Sequence, residues 1–287
     1  MELTDDGVAL LATHDGMPLC RYVYRPPEPG VESPRPYFHP LRTLTGDVVS
    51  IYRPHDHVWH KGLAWSLPNV GTQNFWGGPT FVRDKGYVQL DNNGTQAHRT
   101  LTVEGGTVTQ LLDWLSGDGS VLFAEERTLR LSLVDDGWVL VFTTAMTNVS
   151  GATIPIGSPT TSGRPNAGYG GLMWRGPRSF TDGEVLLPTG TGGDELMGCR
   201  APWLAYRGRH DGHGRASTLV FVDAPGNPGH PVMWFVRATP FACVCPAPFF
   251  AAEVPVAAGE TLRLSYAVAV ADGAPQPEKL VSQIEFG

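Results

Sequence analysis

The sequence contains no apolar run approaching the roughly 20 residues that cross a bilayer, and its first twenty residues lack a basic segment ahead of an apolar core. Neither a membrane span nor a secretory signal is expected. Charged residues make up only 17% of the chain and the formal net charge is -7, so no basic stripe is present to neutralise phosphates. That argues against a nucleic-acid partner. Cysteine is scarce: Cys20, Cys199, Cys243 and Cys245 show no CxxC spacing, which leaves no disulfide framework and no cysteine zinc site to read. Small buried thiols in a reducing cytoplasm are the simplest account of them, with Cys243 and Cys245 sharing a face if their run is a strand. These absences together point to a cytoplasmic protein. GxSxG, HExxH and a phosphate-binding loop are missing too.

What the sequence does have is turn chemistry between short strands. Hydrophobic residues reach 41%, which excludes a disordered chain, and 35 Gly with 25 Pro are spread along the whole length. Strand-like stretches recur at 7–12, 19–24, 47–52, 62–67, 107–115, 120–131, 137–147, 216–223, 232–237 and 261–271. In the last of these, Leu262, Leu264, Tyr266, Val268 and Val270 alternate onto one face. Asp-Gly at 136–137 and 272–273 and Gly-Gly at 105–106 mark turns. Only 277–285 suggests a helix, and the glycine-rich stretch 158–171 reads as a long functional loop rather than a domain boundary. The expected architecture is all-β: a large antiparallel β-sandwich with few short helices, formed by residues 1–287 as one domain.

Four of the nine histidines fall between His39 and His60: His39, His55, His57 and His60. If 48–57 continues as a strand, His55 and His57 point the same way, roughly 6.5–7 Å apart at Cα, and Asp56 points the other way. Pro54 would confine that strand to an edge or end it. Three readings stay open. His55, His57 and His60 would hold a divalent metal, although the glutamate that cupins place four or five residues on is replaced by Lys61 and Gly62. One or two histidines would do metal-free acid–base work. Or the set is structural, bonded to backbone.

Aromatic and polar residues follow closely. Trp65 and Phe75 read as core, whereas Trp76, inside Asn74-Phe-Trp-Gly-Gly78, is as much a sugar platform as core. In the run from 164 to 175, Arg164, Asn166, Tyr169 and Arg175 are candidates for binding hydroxyls or an oxyanion. Alternation turns one of Glu125 and Glu126 inward, where a carboxylate needs a partner, and Glu126 is taken as the catalytic candidate.

The segments RPYFHPLRT, HDHVWHKG, NFWGGP, GYGGLMWRGPRSF and HPVMWFVR resemble, over nearly the whole chain, the bacterial family labelled "methane oxygenase PmoA-like". That oxygenase subunit is an integral membrane protein, so the label does not suit a chain without a span. Members of the family resemble proteins of sugar catabolism, and the closing stretch around Glu253 is similar to the galactose-mutarotase-like sandwich. That resemblance implies a histidine and a carboxylate working on a sugar carbon, with His39 in a substrate-binding position and Glu253 as base. The sequence is thus read as a carbohydrate-processing enzyme that abstracts a proton, with epimerisation or elimination as outcome. His57 or His60 would be base or metal ligand. His39 and Arg42 would contact substrate, Asn74, Trp76 and Tyr169 would bind it, and Arg175 would partner an oxyanion. A sugar-binding module and a metal-dependent oxygenase are the alternatives, and a homo-oligomer stays open.

Overall fold

A computed structural model describes residues 1–287. Two large sheets dominate it. The first has eight strands, in the order Glu2–Asp5, Ala9–His14, Met17–Val23, Tyr37–Leu41, Leu63–Ser66, Gly171–Arg175, Cys243–Pro246, Trp234–Arg237. The second has nine, in the order Gly190–Gly192, Glu184–Leu187, Trp203–Arg209, Ala216–Asp223, Thr261–Asp272, Gly137–Asn148, Val121–Val134, Thr107–Leu115, Thr95–Glu104. All their ladders are antiparallel. The only α-helix is Pro277–Val281, and no helix is long and apolar enough to cross a membrane.

The sheets face each other across a core of 46 buried residues drawn from both. Trp65 of the first sheet lies 6.0 Å from Phe142 and 6.2 Å from Tyr266 of the second, and Trp174 lies 5.3 Å from Tyr206. Period-two alternation produces this. Leu264, Tyr266, Val268 and Val270 enter the core, as the sequence pattern predicts, while Ala267, Ala269 and Ala271 face outward beneath Leu280 of the C-terminal helix. One ion pair is sealed inside. Glu125 takes Arg127 at 2.8 and 2.9 Å, Trp114 Nε1 at 2.7 Å and the Thr144 hydroxyl at 2.9 Å. With both carboxylate oxygens occupied, its burial is tolerable. Glu125 is thus the inward glutamate, and Glu126 lies exposed on the outer face.

Two expectations differ from the structure. Residues 47–52 form isolated bridges rather than a strand, because Val48 pairs only with Arg42 and Tyr52 only with Lys61. The stretch read as a loop, 158–171, is free of strand up to residue 170, but its last residue, Gly171, opens a fully buried central strand, Gly171–Arg175. Gly171 serves close packing there, since a Cβ on it would lie 2.0 Å from the Pro246 carbonyl oxygen. Replacing Trp174 with Ala should lower unfolding stability by about 3–5 kcal/mol, read from urea denaturation. A loss under about 1 kcal/mol would contradict its place between the sheets.

Candidate functional site

The outward side chains of the eight-stranded sheet build the site. Leu172, Trp174, Trp234, Val236 and Val244 enter the core, so Met173, Arg175, Phe235, Arg237 and Cys243 emerge on the opposite face. Onto this face folds the segment from Tyr52 to Lys61, whose ends bridge each other. Arg53 adopts a left-handed conformation (φ 46), and two turns follow: His57 N–H donates to Pro54 O, and His60 N–H donates to His57 O, both at 2.9 Å. A repeat of three residues per turn brings positions i and i+3 onto one side. His57 and His60 therefore stack, with ring centroids 4.7 Å apart and 21° between planes.

The neck of this loop is fastened from beneath. The buried Glu32 carboxylate accepts from Arg53 at 3.0 and 2.7 Å and also from buried Lys61, while Arg35 donates to the Trp59 carbonyl at 2.6 Å. Trp59 in turn packs on Gly77 and Gly78. These residues have φ +98 and +67, and a Cβ would lie 2.6 Å from the Trp59 Cβ in one case and 2.7 Å from its ring in the other. Asn74 holds the adjoining turn, its Oδ1 accepting from the N–H groups of Trp76 and Gly77 at 2.8 and 3.0 Å.

Charge then sets the proton positions. Asp56 accepts from Arg175 at 2.8 Å, from Arg178 at 2.7 Å and from His57 Nδ1 at 2.8 Å. Partial burial alone would raise its pKa, but these three donors outweigh burial and hold the carboxyl well below the usual range. Facing a carboxylate, His57 Nδ1 carries the hydrogen, which leaves Nε2 as the lone-pair nitrogen of the neutral ring. The opposite holds for His60. Its Nδ1 faces Arg175 Nη1 at 2.9 Å, and a guanidinium only donates, so the hydrogen of neutral His60 sits on Nε2. Burial, reinforced by the adjacent Arg175 guanidinium, pushes the His60 pKa well below its ordinary value and keeps the ring neutral. The two stacked rings thus present one acceptor nitrogen and one N–H donor.

Both rings open on a cleft of about 480 Å³, a size suited to a small ligand. Trp59 and Trp76 flank them, Phe241 contacts both at 5.3 and 6.1 Å, and Tyr169 and Phe235 continue the wall. Trp76 and Tyr169 lie 4.6 Å apart. The charged side chains lining the cleft are Arg164 and Arg237, and no carboxylate lines it.

A family model described as "Family of unknown function (DUF6807)" matches residues 9–285. The chain belongs to that family. Its description names no oxygenase, so the methane oxygenase label gains no support. No curated protein matches the chain. Among solved structures, a galactose mutarotase related enzyme from Lactobacillus acidophilus is similar at TM-score 0.44 and 10% identity, covering 90% of this chain and 96% of that one. The α-galactosidase from Lactobacillus brevis is similar at TM-score 0.42 and 8% identity, covering 97% of this chain and 40% of that one.

Of the sequence-derived candidates, the DUF6807 chain brings His57, His60, Trp76, Tyr169 and Arg164 to the cleft, with Arg175 directly behind His60. The others lie elsewhere. His39 bonds Ser50 at 2.9 Å and stacks on Tyr52, and burial followed by the charge of Arg42 lowers its pKa to about 4. Arg42 bonds the Gly46 carbonyl on a different part of the surface. His55 is exposed and bonded to Arg178, so the metal reading of His55, His57 and His60 finds no assembled donor set, and no three His, Cys, Asp or Glu residues come together to hold an ion. Asn74 is spent on its turn, Glu126 is on the other sheet, and Asn166 and Glu253 are exposed away from the cleft. Asp56 was expected on the opposite face from His57 and instead orients it. Arg178, Arg237 and Phe241 were not singled out. Arg178 lies within the GYGGLMWRGPRSF segment and Arg237 ends the HPVMWFVR segment, whereas Phe241 carries no local signal.

Nitrogen-15 NMR should find His60 neutral, with its hydrogen on Nε2, at pH 6, where an unperturbed imidazole with a pKa of about 6.5 is mostly protonated. A cationic His60 at that pH would contradict the assignment.

Proposed function

We propose that this chain is a carbohydrate-processing enzyme that moves a proton at a sugar carbon, leading to epimerisation or elimination. The observation carrying this reading is the pair of stacked imidazoles with opposite tautomers. His57, oriented by Asp56, is the base through Nε2. His60, oriented by Arg175, is the N–H donor to an oxygen on which charge develops. A base and a donor side by side are what proton abstraction next to a carbonyl requires: one takes the proton, the other stabilises the resulting oxyanion. Holding both histidines in fixed tautomers removes a reorganisation that would otherwise fall within the reaction.

The walls supply the affinity. Trp59, Trp76 and Tyr169 offer flat apolar faces for the CH faces of a sugar ring, while the histidines and arginines meet its hydroxyls. The cleft's cysteine, Cys243, is no nucleophile, because burial pushes its thiol up to about 12.

In a turnover assay on candidate sugars, His57→Ala should lower kcat by roughly 10²–10⁴-fold while sugar affinity stays within a few-fold. Asp56→Asn should also lower kcat, because the amide no longer dictates the tautomer of His57. Trp76→Ala should chiefly raise KM. Metal content measured on the same His57→Ala preparation separates base from ligand, since loss of metal together with turnover would replace the acid–base reading with a metal site. Full turnover by His57→Ala would exclude the residue from catalysis.

A further inference from the structure

The cleft has a charge opposite to that of the chain. The protein as a whole is at -7, yet four guanidinium groups gather at the cleft and its floor, Arg164, Arg175, Arg178 and Arg237, against two carboxylates, Asp56 and Asp194. Arg175 and Arg178 are both engaged by Asp56. The two that line the cleft are not matched in this way. Arg164 has no carboxylate partner; its Nη1 donates to the Tyr87 hydroxyl at 2.7 Å, and that hydroxyl is bonded to Tyr169 at 2.9 Å. Arg237 forms a long ion pair with Asp194 Oδ2 at 3.7 Å, beyond hydrogen-bond distance, while Asp194 Oδ1 accepts from the N–H groups of Ala238 and Thr239 at 2.6 and 3.1 Å.

Each of these guanidiniums is also braced. Arg164 lies over the Tyr87 ring at 5.0 Å and Arg237 over Phe235 at 5.6 Å, both measured to the ring centroid. Stacking on a ring fixes the plane of the fork and leaves N–H edges free to meet an anion, the geometry in which arginine excels over lysine. The aromatic walls keep the local dielectric low, which strengthens attraction for a negative group and penalises leaving Arg164 unmatched and Arg237 paired only at long range.

We propose that the cleft takes a sugar bearing an oxyanion, a carboxylate or a phosphate, with Arg237 and Arg164 as the residues that bind it. This rests on the acid–base reading of His57 and His60 and names the substrate class for that site. A carboxylate neutralised by arginine also renders the C–H next to it more acidic, which suits the base it would face.

The experiment is titration calorimetry of the full chain with glucuronate, glucose 6-phosphate and glucose as probes, at low and high salt. At least one of the two anionic sugars should bind tenfold or more tightly than glucose, by an amount that shrinks as salt rises. Which of them binds identifies the anion. Arg237→Gln and Arg164→Gln should each weaken that binding by roughly 10- to 100-fold, and Arg237→Lys should keep part of it. Both arginines are partly exposed, so the substitutions spare the core, and retention of the urea midpoint verifies the fold. Glucose binding as tightly as the anionic sugars, absence of binding by both anionic sugars, or unchanged affinity in both Gln variants would each overturn the proposal. Because the readout is affinity, it separates from the catalytic reading. Anion binding without proton transfer would overturn only the acid–base role, and proton transfer on a neutral sugar without anion binding would overturn only this one.

Discussion

One carboxylate holds the site together. Asp56 lies on a loop, and its two main partners, Arg175 and Arg178, come from the end of a central strand and the turn just after it. Arg175 is buried, its Nε has no partner, and Asp56 is the only anion it meets. Removing Asp56 would strand a guanidinium against the Phe241 ring, 3.6 Å from its centroid, and release the loop from the sheet. The same carboxylate decides where the hydrogen of His57 sits, and Arg175 decides it for His60. A single ion cluster therefore fixes position and protonation together.

The sandwich beneath explains why such a cluster stays in place. The strand Gly171–Arg175 is buried along its whole length, with Trp174 locked between the sheets and Arg175 emerging one residue later. A side chain on a rigid central strand is a more precise anchor than one on a loop. The other partner, the Tyr52–Lys61 loop, is held at its neck by Glu32, at its crown by Asp56, and on its flank by Trp59 against Gly77 and Gly78. The two stacked rings of His57 and His60 lie between these three attachments.

Much of this was legible in the sequence. Alternation exposed the strands at 107–115, 137–148, 216–223 and 261–272 almost to the residue, because those strands carry regular inward faces. The histidine concentration and the glycine-flanked Trp76 drew attention to residues of which His57, His60 and Trp76 line the cleft. Local geometry was where the reading slipped. A strand through Pro54 pairs His55 with His57, whereas the turns that Pro54 and left-handed Arg53 start pair His57 with His60 and send His55 outward. Gly171 closes the stretch read as a loop, but its lack of a side chain serves close packing at the start of a central strand. Arg237 and Phe241 reach the cleft from a strand and turn nearly two hundred residues away, so only the fold brings them there. Between Glu125 and Glu126, alternation left the inward member open, and the indole of Trp114 with Arg127 settles it.

The central claim is that the His57–His60 pair exchanges a proton with a carbon of a bound sugar. Incubating the protein in deuterated water with a panel of neutral and anionic sugars, and following each carbon-bound hydrogen by NMR, reads that event without knowledge of the final product. The account predicts deuterium entering at one carbon of at least one sugar with the native chain, and none above background with His57→Ala. Exchange of equal rate in the variant, or its absence from every sugar that measurably binds, would contradict it.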